Sequence, residues 1–248
     1  MDTPSTQKQE RYHRSIQLPE LGEAGQSTLA HSQVLIIGAG GLGSPASLYL
    51  AAAGVGTLGL ADADVVDLSN LQRQILHETA DLGTPKVYSG QRRLRNLNPH
   101  VKIQAYHHWV TPENIQDMIA PYDFVVEATD SIHTKFLVND ACVKAGKPYS
   151  HAGIQEFQGQ TMTVLPGSSA CFRCLFPEDP PAGKGPELGV LGSVAGLLGT
   201  IQATETIKHL TGAGECLYGT LLGIDTLIMH FRKTVVPRAT NCPACNGL

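Results

Sequence analysis

The sequence has few charged residues and no excess of positive charge. Charged side chains make up 16% of the 248 residues, and 18 Lys and Arg against 22 Asp and Glu give a net charge of -4. Because a protein that binds polyanions needs a surplus of Lys and Arg, we expect no nucleic-acid partner. The 42% content of hydrophobic residues is typical of a globular domain.

The sequence also lacks segments typical of secreted or membrane proteins. Its N-terminus is polar and has no apolar core of a signal peptide. The most apolar run, VLGSVAGLLGTI from Val190 to Ile201, has 12 residues, whereas a membrane-spanning helix needs about 20. We therefore expect no membrane association and a cytoplasmic location. No nucleophile elbow, Ser-His-Asp pattern or HExxH motif is present.

Strand-like and helix-like segments alternate along the first 150 residues. The runs QVLIIG, GTLGLADAD and YDFVVEATD are typical of buried parallel strands. This alternation predicts an α/β fold with a Rossmann-like, doubly wound and mostly parallel sheet. Later strand-like segments predict a C-terminal antiparallel extension. We expect a disordered tail at residues 1–10 and a single domain at 11–248, whose nucleotide-binding core covers about 33–150.

A glycine-rich turn lies between the first predicted strand and the following helix. Gly38, Gly40 and Gly43 match GxGxxG, in which a helix N-terminus and close backbone approach hold a phosphate. Asp62 follows Gly43 by 19 residues, at a strand end where a carboxylate can bind ribose hydroxyls. This pattern predicts a nucleotide and leaves NAD, FAD and ATP open. A turn selected only for helix–strand packing is the alternative.

Several charged and polar residues follow Asp62 closely. They are Asp64, Asn70, Arg73 and Gln74, and Lys86 stands further on, at the start of a predicted helix; Arg and Lys are the donor types used on phosphates. A triphosphate has more charge to place than the one pyrophosphate of NAD, so this set favours ATP. Taken singly, Arg73 or Lys86 is more typical of a solvated surface charge.

Asp130 ends the strand YDFVVEATD. Ligands of open parallel sheets bind at the carboxyl ends of strands, where a carboxylate can hold a magnesium ion that bridges phosphates. Capping of the following helix is the alternative role for this residue.

Four of the six cysteines form two CxxC pairs. The pairs are Cys171 with Cys174 and Cys242 with Cys245, separated by 67 residues. Four thiolates from two such pairs predict a closed, structural zinc site. A redox role for one pair is the alternative, but it leaves the other pair unexplained.

Eight segments between Arg11 and Cys245 occur in the order typical of one family. They are RYHRSIQLPELGEAGQSTL, VLIIGAGGLGSPASLYLAAAGVGTL, DADVVDLSNLQRQIL, GTPK, EATDS, CFRCLFP, LGTIQATETIKHL and CPAC. Together they resemble the MoeB/ThiF family (HesA/MoeB/ThiF) of ubiquitin-activating-like adenylyltransferases.

The resemblance implies a homodimeric enzyme that uses ATP and Mg²⁺ and carries one structural Zn²⁺ per chain. Its implied substrate is the C-terminal Gly-Gly carboxylate of a ubiquitin-like sulfur-carrier protein of the ThiS/MoaD type. The implied products are an acyl-adenylate and pyrophosphate, ahead of thiocarboxylate formation for thiamine, molybdopterin or a related compound. Because the chain ends just after the second cysteine pair, we expect a separate persulfide donor.

The resemblance also implies residue roles. Residues 151–248 would bind the carrier and zinc, while the nucleotide would contact the main chain at Gly41, Asp62 at the ribose, and Asn70, Arg73 and Lys86 at the phosphates. Asp130 would hold magnesium. Arg14 of the RYHR segment would reach the γ-phosphate of the other subunit.

The sequence departs from the family pattern at two places. Gly185 stands where family members often have a cysteine, so we expect no thioester or acyl-disulfide step there. Ser131 and Lys135 replace an asparagine and an arginine near Asp130, which we interpret as an adjustment of the nucleotide site. Three other functions stay open: adenylation of another acid or peptide, an NAD-dependent oxidoreductase, and a non-catalytic scaffold that binds a carrier.

Overall fold

A computed structural model describes residues 4–178 and 189–247, with side chains from residue 10 onward. Its strands are β1 (Gln33–Ile37), β2 (Thr57–Ala61), β3 (Lys102–Tyr106), β4 (Phe124–Glu127), β5 (Tyr149–Gln155), β6 (Gln158–Val164), β7 (Thr220–Asp225) and β8 (His230–Val235). Its helices are α1 (Pro4–Ile16), α2 (Gly22–His31), α3 (Gly43–Ala53), α4 (Lys86–Leu97), α5 (Ile115–Ile119), α6 (Ile132–Ala145), α7 (Phe172–Leu175) and α8 (Gly192–Thr211).

The strands form one eight-stranded sheet in the order β3-β2-β1-β4-β5-β6-β7-β8. Neighbours from β3 to β5 are parallel, and those from β5 to β8 are antiparallel. The predicted fold class is therefore confirmed. Since β1 is flanked by β2 on one side and β4 on the other, the chain order reverses there, and such a switch point is where open α/β sheets bind ligands.

Side chains of β1 alternate between two hydrophobic layers. Val34 and Ile36 pack in a cluster that includes residues of α3, α4 and α8. Leu35 and Ile37 point into a second cluster with residues of α5 and α6. Helices thus cover both faces of the sheet, as a doubly wound fold requires. Among the described residues, no helix is both long and apolar enough to span a membrane.

The N-terminal segment differs from the prediction. Helix α1 begins at Pro4, so the structure is helical over most of the segment for which the sequence predicts disorder. Proline suits the first turn of a helix because its missing N–H group would have no partner there. Tyr12 anchors the helix: it is buried, and its hydroxyl accepts a hydrogen bond from Asn98 Nδ2 at 2.8 Å.

His151 on β5 is a buried histidine in an apolar setting. Its ring lies 4.8 Å from that of Phe172, and its Nε2 has no hydrogen-bond partner within the described part of the chain. Burial, helped by the nearby charge of Lys135, lowers its pKa from 6.5 to about 3. The folded protein therefore holds this imidazole neutral at pH values where the unfolded chain protonates it.

We predict that His151 makes folding sensitive to acid. Stability is fully present above the unfolded pKa of 6.5 and falls as the pH drops toward the folded value of about 3. At pH 5 the loss from this residue is about 2 kcal/mol. Urea unfolding at pH 7 and pH 5 should show a smaller acid-induced loss in His151→Leu than in the parent chain. An equal loss in both would contradict the assignment.

Candidate functional site

A cavity of about 680 Å³ lies at the carboxyl edge of the parallel strands. This volume is typical of small-molecule sites. It is lined by ten of the predicted nucleotide-site residues: Gly38, Gly40, Gly41, Asp62, Asp64, Arg73, Gln74, Lys86, Asp130 and Ser131. The structure therefore brings most of the predicted set together around one space.

The turn after β1 allows the backbone to approach the cavity closely. Gly38 has a φ of +98°, a conformation that favours glycine. A Cβ atom on Gly43 would lie 1.8 Å from the carbonyl oxygen of Gly38, so any larger residue must displace the turn. Gly43 does not line the cavity. Its role in the structure is the close packing of α3 against β1, which leaves the start of that helix facing the site.

Asp62 connects the end of β2 to this turn. Its Oδ2 accepts a hydrogen bond from the Ala39 amide, and its Oδ1 accepts one from the Asp64 amide, both at 2.8 Å. Each carboxylate oxygen can accept a second bond. The side chain is thus held in one orientation while it can still accept hydrogen bonds from a diol in the cavity.

Lys86 begins α4 and is already paired with Asp64. Its Nζ donates to Asp64 Oδ2 at 2.9 Å, and its amide donates to the Asp64 carbonyl oxygen at the same distance. The lysine side chain is 6% exposed, and that of Asp64 is 51% exposed. Because the acceptor is half solvated, a phosphate in the cavity can compete for the ammonium group.

Arg73 and Gln74 line the cavity, whereas Asn70 does not. Asn70 Oδ1 accepts a hydrogen bond from Gln74 Nε2 at 3.1 Å, and Arg73 Nη1 donates to the Ser69 carbonyl oxygen at 3.4 Å. Gln74 Oε1 is buried and lacks a partner among the described residues. Asn70 therefore orients Gln74 from outside the lining of the cavity.

Asp130 is exposed at the end of β4, and its carboxylate has no partner among the described residues. Ser131, not Asp130, caps α6, since Ser131 Oγ accepts a hydrogen bond from the Thr134 amide at 3.3 Å. The alternative interpretation of Asp130 as the helix cap is therefore wrong. Its carboxylate is left available to the cavity.

Lys135 also lines the cavity, and its ammonium group is fully hydrogen-bonded within the protein. Its Nζ donates to Glu127 Oε2 at 2.7 Å, to the Thr129 carbonyl oxygen at 2.8 Å and to the Ala152 carbonyl oxygen at 2.6 Å. Glu127 is fully buried. These three bonds use all the protons of the ammonium group. Lys135 thus fixes the end of β4.

Two features of the cavity are not predicted from the sequence. His108, Trp109 and Val110, in the loop after β3, line its wall. Buried His77 supports the glycine turn, because its Nε2 lies 2.9 Å from the Ala39 carbonyl oxygen, and burial lowers its pKa. No spacing pattern marks these residues, which reach the site through strand order and loop geometry.

Arg14 lies on the exposed side of α1 and does not line the cavity of its own chain. Gly185 and most of the loop at 177–189 lie outside the described residues.

The four paired cysteines meet at a separate place. Cys171 Sγ lies 3.6 Å from Cys242 Sγ, and Cys174 Sγ lies 3.5 Å from Cys245 Sγ. All four sulfur atoms lie within 4.8 Å of one another, so they could hold a metal ion. Tetrahedral thiolates bonded at about 2.3 Å stand about 3.8 Å apart, which fits this spacing. The cluster joins α7 to the C-terminal segment.

The sequence matches the ThiF family model over residues 12–244. The chain belongs to the ThiF family. A sulfur carrier protein adenylyltransferase of Thermus thermophilus is 44% identical over 244 residues, with 95% of this chain and 90% of the relative covered. The SAMP-activating enzyme E1 of Haloferax volcanii is 46% identical over 241 residues, with 95% and 88% covered.

A third relative, the adenylyltransferase and sulfurtransferase MOCS3 of Sus scrofa, is 46% identical over 239 residues, and the match covers 95% of this chain and 52% of the relative. The predicted class of enzyme, an adenylyltransferase, is thereby confirmed. Among solved structures, E. coli MccB with ATP has a TM-score of 0.84 at 23% identity, covering 96% of this chain and 75% of that chain. This likeness shows the fold.

We predict that the cysteine cluster carries a metal ion that stabilises the C-terminal segment. Cys174→Ser should lower the metal content of the purified protein and its unfolding midpoint, because three thiolates hold a tetrahedral ion less well than four. Cys216→Ser is the matched control, since that cysteine lies outside the cluster. Elemental analysis and thermal unfolding measure both effects. Equal metal content in the two variants would contradict the site.

Proposed function

We propose that the chain adenylylates the C-terminal Gly-Gly carboxylate of a ubiquitin-like sulfur-carrier protein of the ThiS/MoaD type. The observation that carries this proposal is the cavity itself, where the glycine turn, Asp62, Arg73, Lys86 and Asp130 line one space. The relatives named above support the substrate class. A non-catalytic scaffold would have no use for so complete a set of charged groups.

The reaction is a transfer of the adenylyl group from ATP to a carboxylate, by substitution at phosphorus. A carboxylate oxygen of the carrier attacks the α-phosphorus of ATP, the bond from that phosphorus to the bridging oxygen of the β-phosphate breaks, and pyrophosphate leaves with the electron pair. The product is a mixed anhydride between the carrier and AMP. Little covalent chemistry falls to the protein, so positioning and charge neutralisation supply most of the rate.

We infer the residue roles from the chemistry of the groups that line the cavity. The amides of the glycine turn at Gly40 and Gly41 approach the phosphates, and the carboxylate of Asp62 accepts hydrogen bonds from the ribose hydroxyls. Arg73 and Lys86 neutralise phosphate charge, with Lys86 exchanging Asp64 for a phosphate oxygen. Asp130 would hold Mg²⁺, which when bound offsets the charge of the triphosphate. Gln74 and Ser131 offer further polar contacts.

We also propose a homodimer with a shared site. Arg14 is exposed and outside its own cavity, and it would act on the γ-phosphate bound by the other subunit. The four cysteines would hold one structural Zn²⁺ per chain. Sulfur would reach the adenylate from a separate persulfide donor, giving the thiocarboxylate used for thiamine, molybdopterin or a related product.

Pyrophosphate exchange tests the role of Asp130. With Mg²⁺ and a cognate carrier, the parent chain should exchange labelled pyrophosphate into ATP, and Asp130→Ala should lower the rate by roughly 10²-fold or more, because a charge-stabilising group is lost. Asp117→Ala, at an exposed acid on α5, is the control and should retain the rate. Full exchange by Asp130→Ala would remove that residue from the mechanism.

Mixed dimers test the role of Arg14. Arg14→Ala and Asp130→Ala should each be inactive, and their co-expression should restore about a quarter of the parent activity, because half of the dimers are mixed and each contains one intact site. Arg95→Ala, at an exposed arginine on α4, should stay active alone. Absence of rescue would mean that Arg14 acts within its own chain, and an active Arg14→Ala variant would mean that it has no role.

A further inference from the structure

Trp109 is an exposed aromatic residue at the wall of the cavity. Its side chain is 67% exposed, and it is the single tryptophan of the chain. The indole has no hydrogen-bond partner among the residues that the structure describes. Large aromatic surfaces gain free energy when they are covered, so a solvated indole that borders a cavity can be stabilised by a ligand with a flat apolar face.

The backbone that carries Trp109 is firmly held. β3 pairs with β2 so that Tyr106 lies opposite Ala61, and the Asp62 amide donates to the Tyr106 carbonyl oxygen at 3.2 Å. Asn114 Nδ2 donates to the Trp109 carbonyl oxygen at 2.8 Å. The position of the residue is therefore fixed while its indole stays free to receive a contact.

The order of strands places three groups in a row along the carboxyl edge. The glycine turn follows β1, Asp62 follows β2, and Trp109 lies in the loop after β3, and these strands are neighbours in the order β3-β2-β1. A nucleotide has the same linear order of phosphates, ribose and base. With the phosphates at the glycine turn and the ribose at Asp62, the base comes to the loop that carries Trp109.

We propose that Trp109 binds the base of the nucleotide by stacking its indole on the purine ring. This inference rests on the proposed function, since it takes ATP as the ligand. Stacking of a base on an aromatic side chain changes affinity by roughly ten-fold in alanine substitutions. Trp109 would thus discriminate a nucleotide from a bare polyphosphate, which the glycine turn and the two cations hold without a base.

The single tryptophan makes this contact measurable without catalysis. Titration of the parent chain with Mg²⁺ and ATP should change the intrinsic fluorescence, whereas inorganic tripolyphosphate should bind with little change. No fluorescence response to ATP in a chain that carries out pyrophosphate exchange would overturn the inference and leave the proposed function standing.

Kinetics of variants give the second readout. Trp109→Ala should raise the KM for ATP about ten-fold, with little change in kcat, in the KM for the carrier or in inhibition by tripolyphosphate. Trp109→Phe should restore most of the affinity, and Tyr49→Ala, at an exposed tyrosine of α3 outside the cavity, should behave as the parent. A rise in the KM for the carrier alone would overturn the inference, because Trp109 would then contact the protein substrate.

If no carrier supports exchange, the proposed function fails, and the ATP titration still decides the role of Trp109.

Discussion

The site depends on the close approach of α3 to the end of β1. At Gly43 there is no room for a side chain, because a Cβ would meet the Gly38 carbonyl oxygen, and Gly38 itself adopts a φ that favours glycine. This contact sets the turn that carries the Ala39 amide, and Asp62 is held by that amide. The groups proposed for phosphate and ribose are thus fixed to one another through the backbone, before any ligand binds.

The two lysines at the cavity differ in what they can do. Lys86 is paired with Asp64, whose side chain is half solvated, so a phosphate can replace that acceptor and leave the carboxylate in water. Lys135 is paired with Glu127, which is completely buried, and its departure would leave an uncompensated charge inside the protein. Both lysines line the cavity, and they differ in the burial of their partners. Lys86 is therefore proposed to bind phosphate, whereas Lys135 holds the end of β4.

Most of the fold could be predicted from the sequence because apolar runs mark the strands and glycines mark the turns at the ends of helices and strands. β5 was not predicted, since its segment YSHAGIQ contains polar residues that nevertheless become buried between β4 and β6. The helix at Pro4 was missed as well, because its sequence is polar and its anchor is a single side chain, Tyr12.

Residues that belong to sequence motifs could be predicted, namely the glycines of the turn, Asp62 and the cysteine pairs. Ser131 as helix cap, Asn70 as support for Gln74, and Trp109 at the wall could not be predicted. The first two are contacts between residues three and four positions apart, which depend on side-chain rotamers, and the third depends on the path of the loop after β3. Spacing in a sequence does not encode such contacts.

Isotope transfer tests the central claim, that a carrier carboxylate attacks the α-phosphorus of ATP. A carrier with ¹⁸O in its C-terminal carboxylate is incubated with the enzyme and Mg²⁺-ATP, and the product is cleaved with hydroxylamine at the acyl carbon. Mass spectrometry should then find one ¹⁸O in the released AMP, because the attacking oxygen stays on phosphorus. AMP without label, or label in pyrophosphate, would contradict the account.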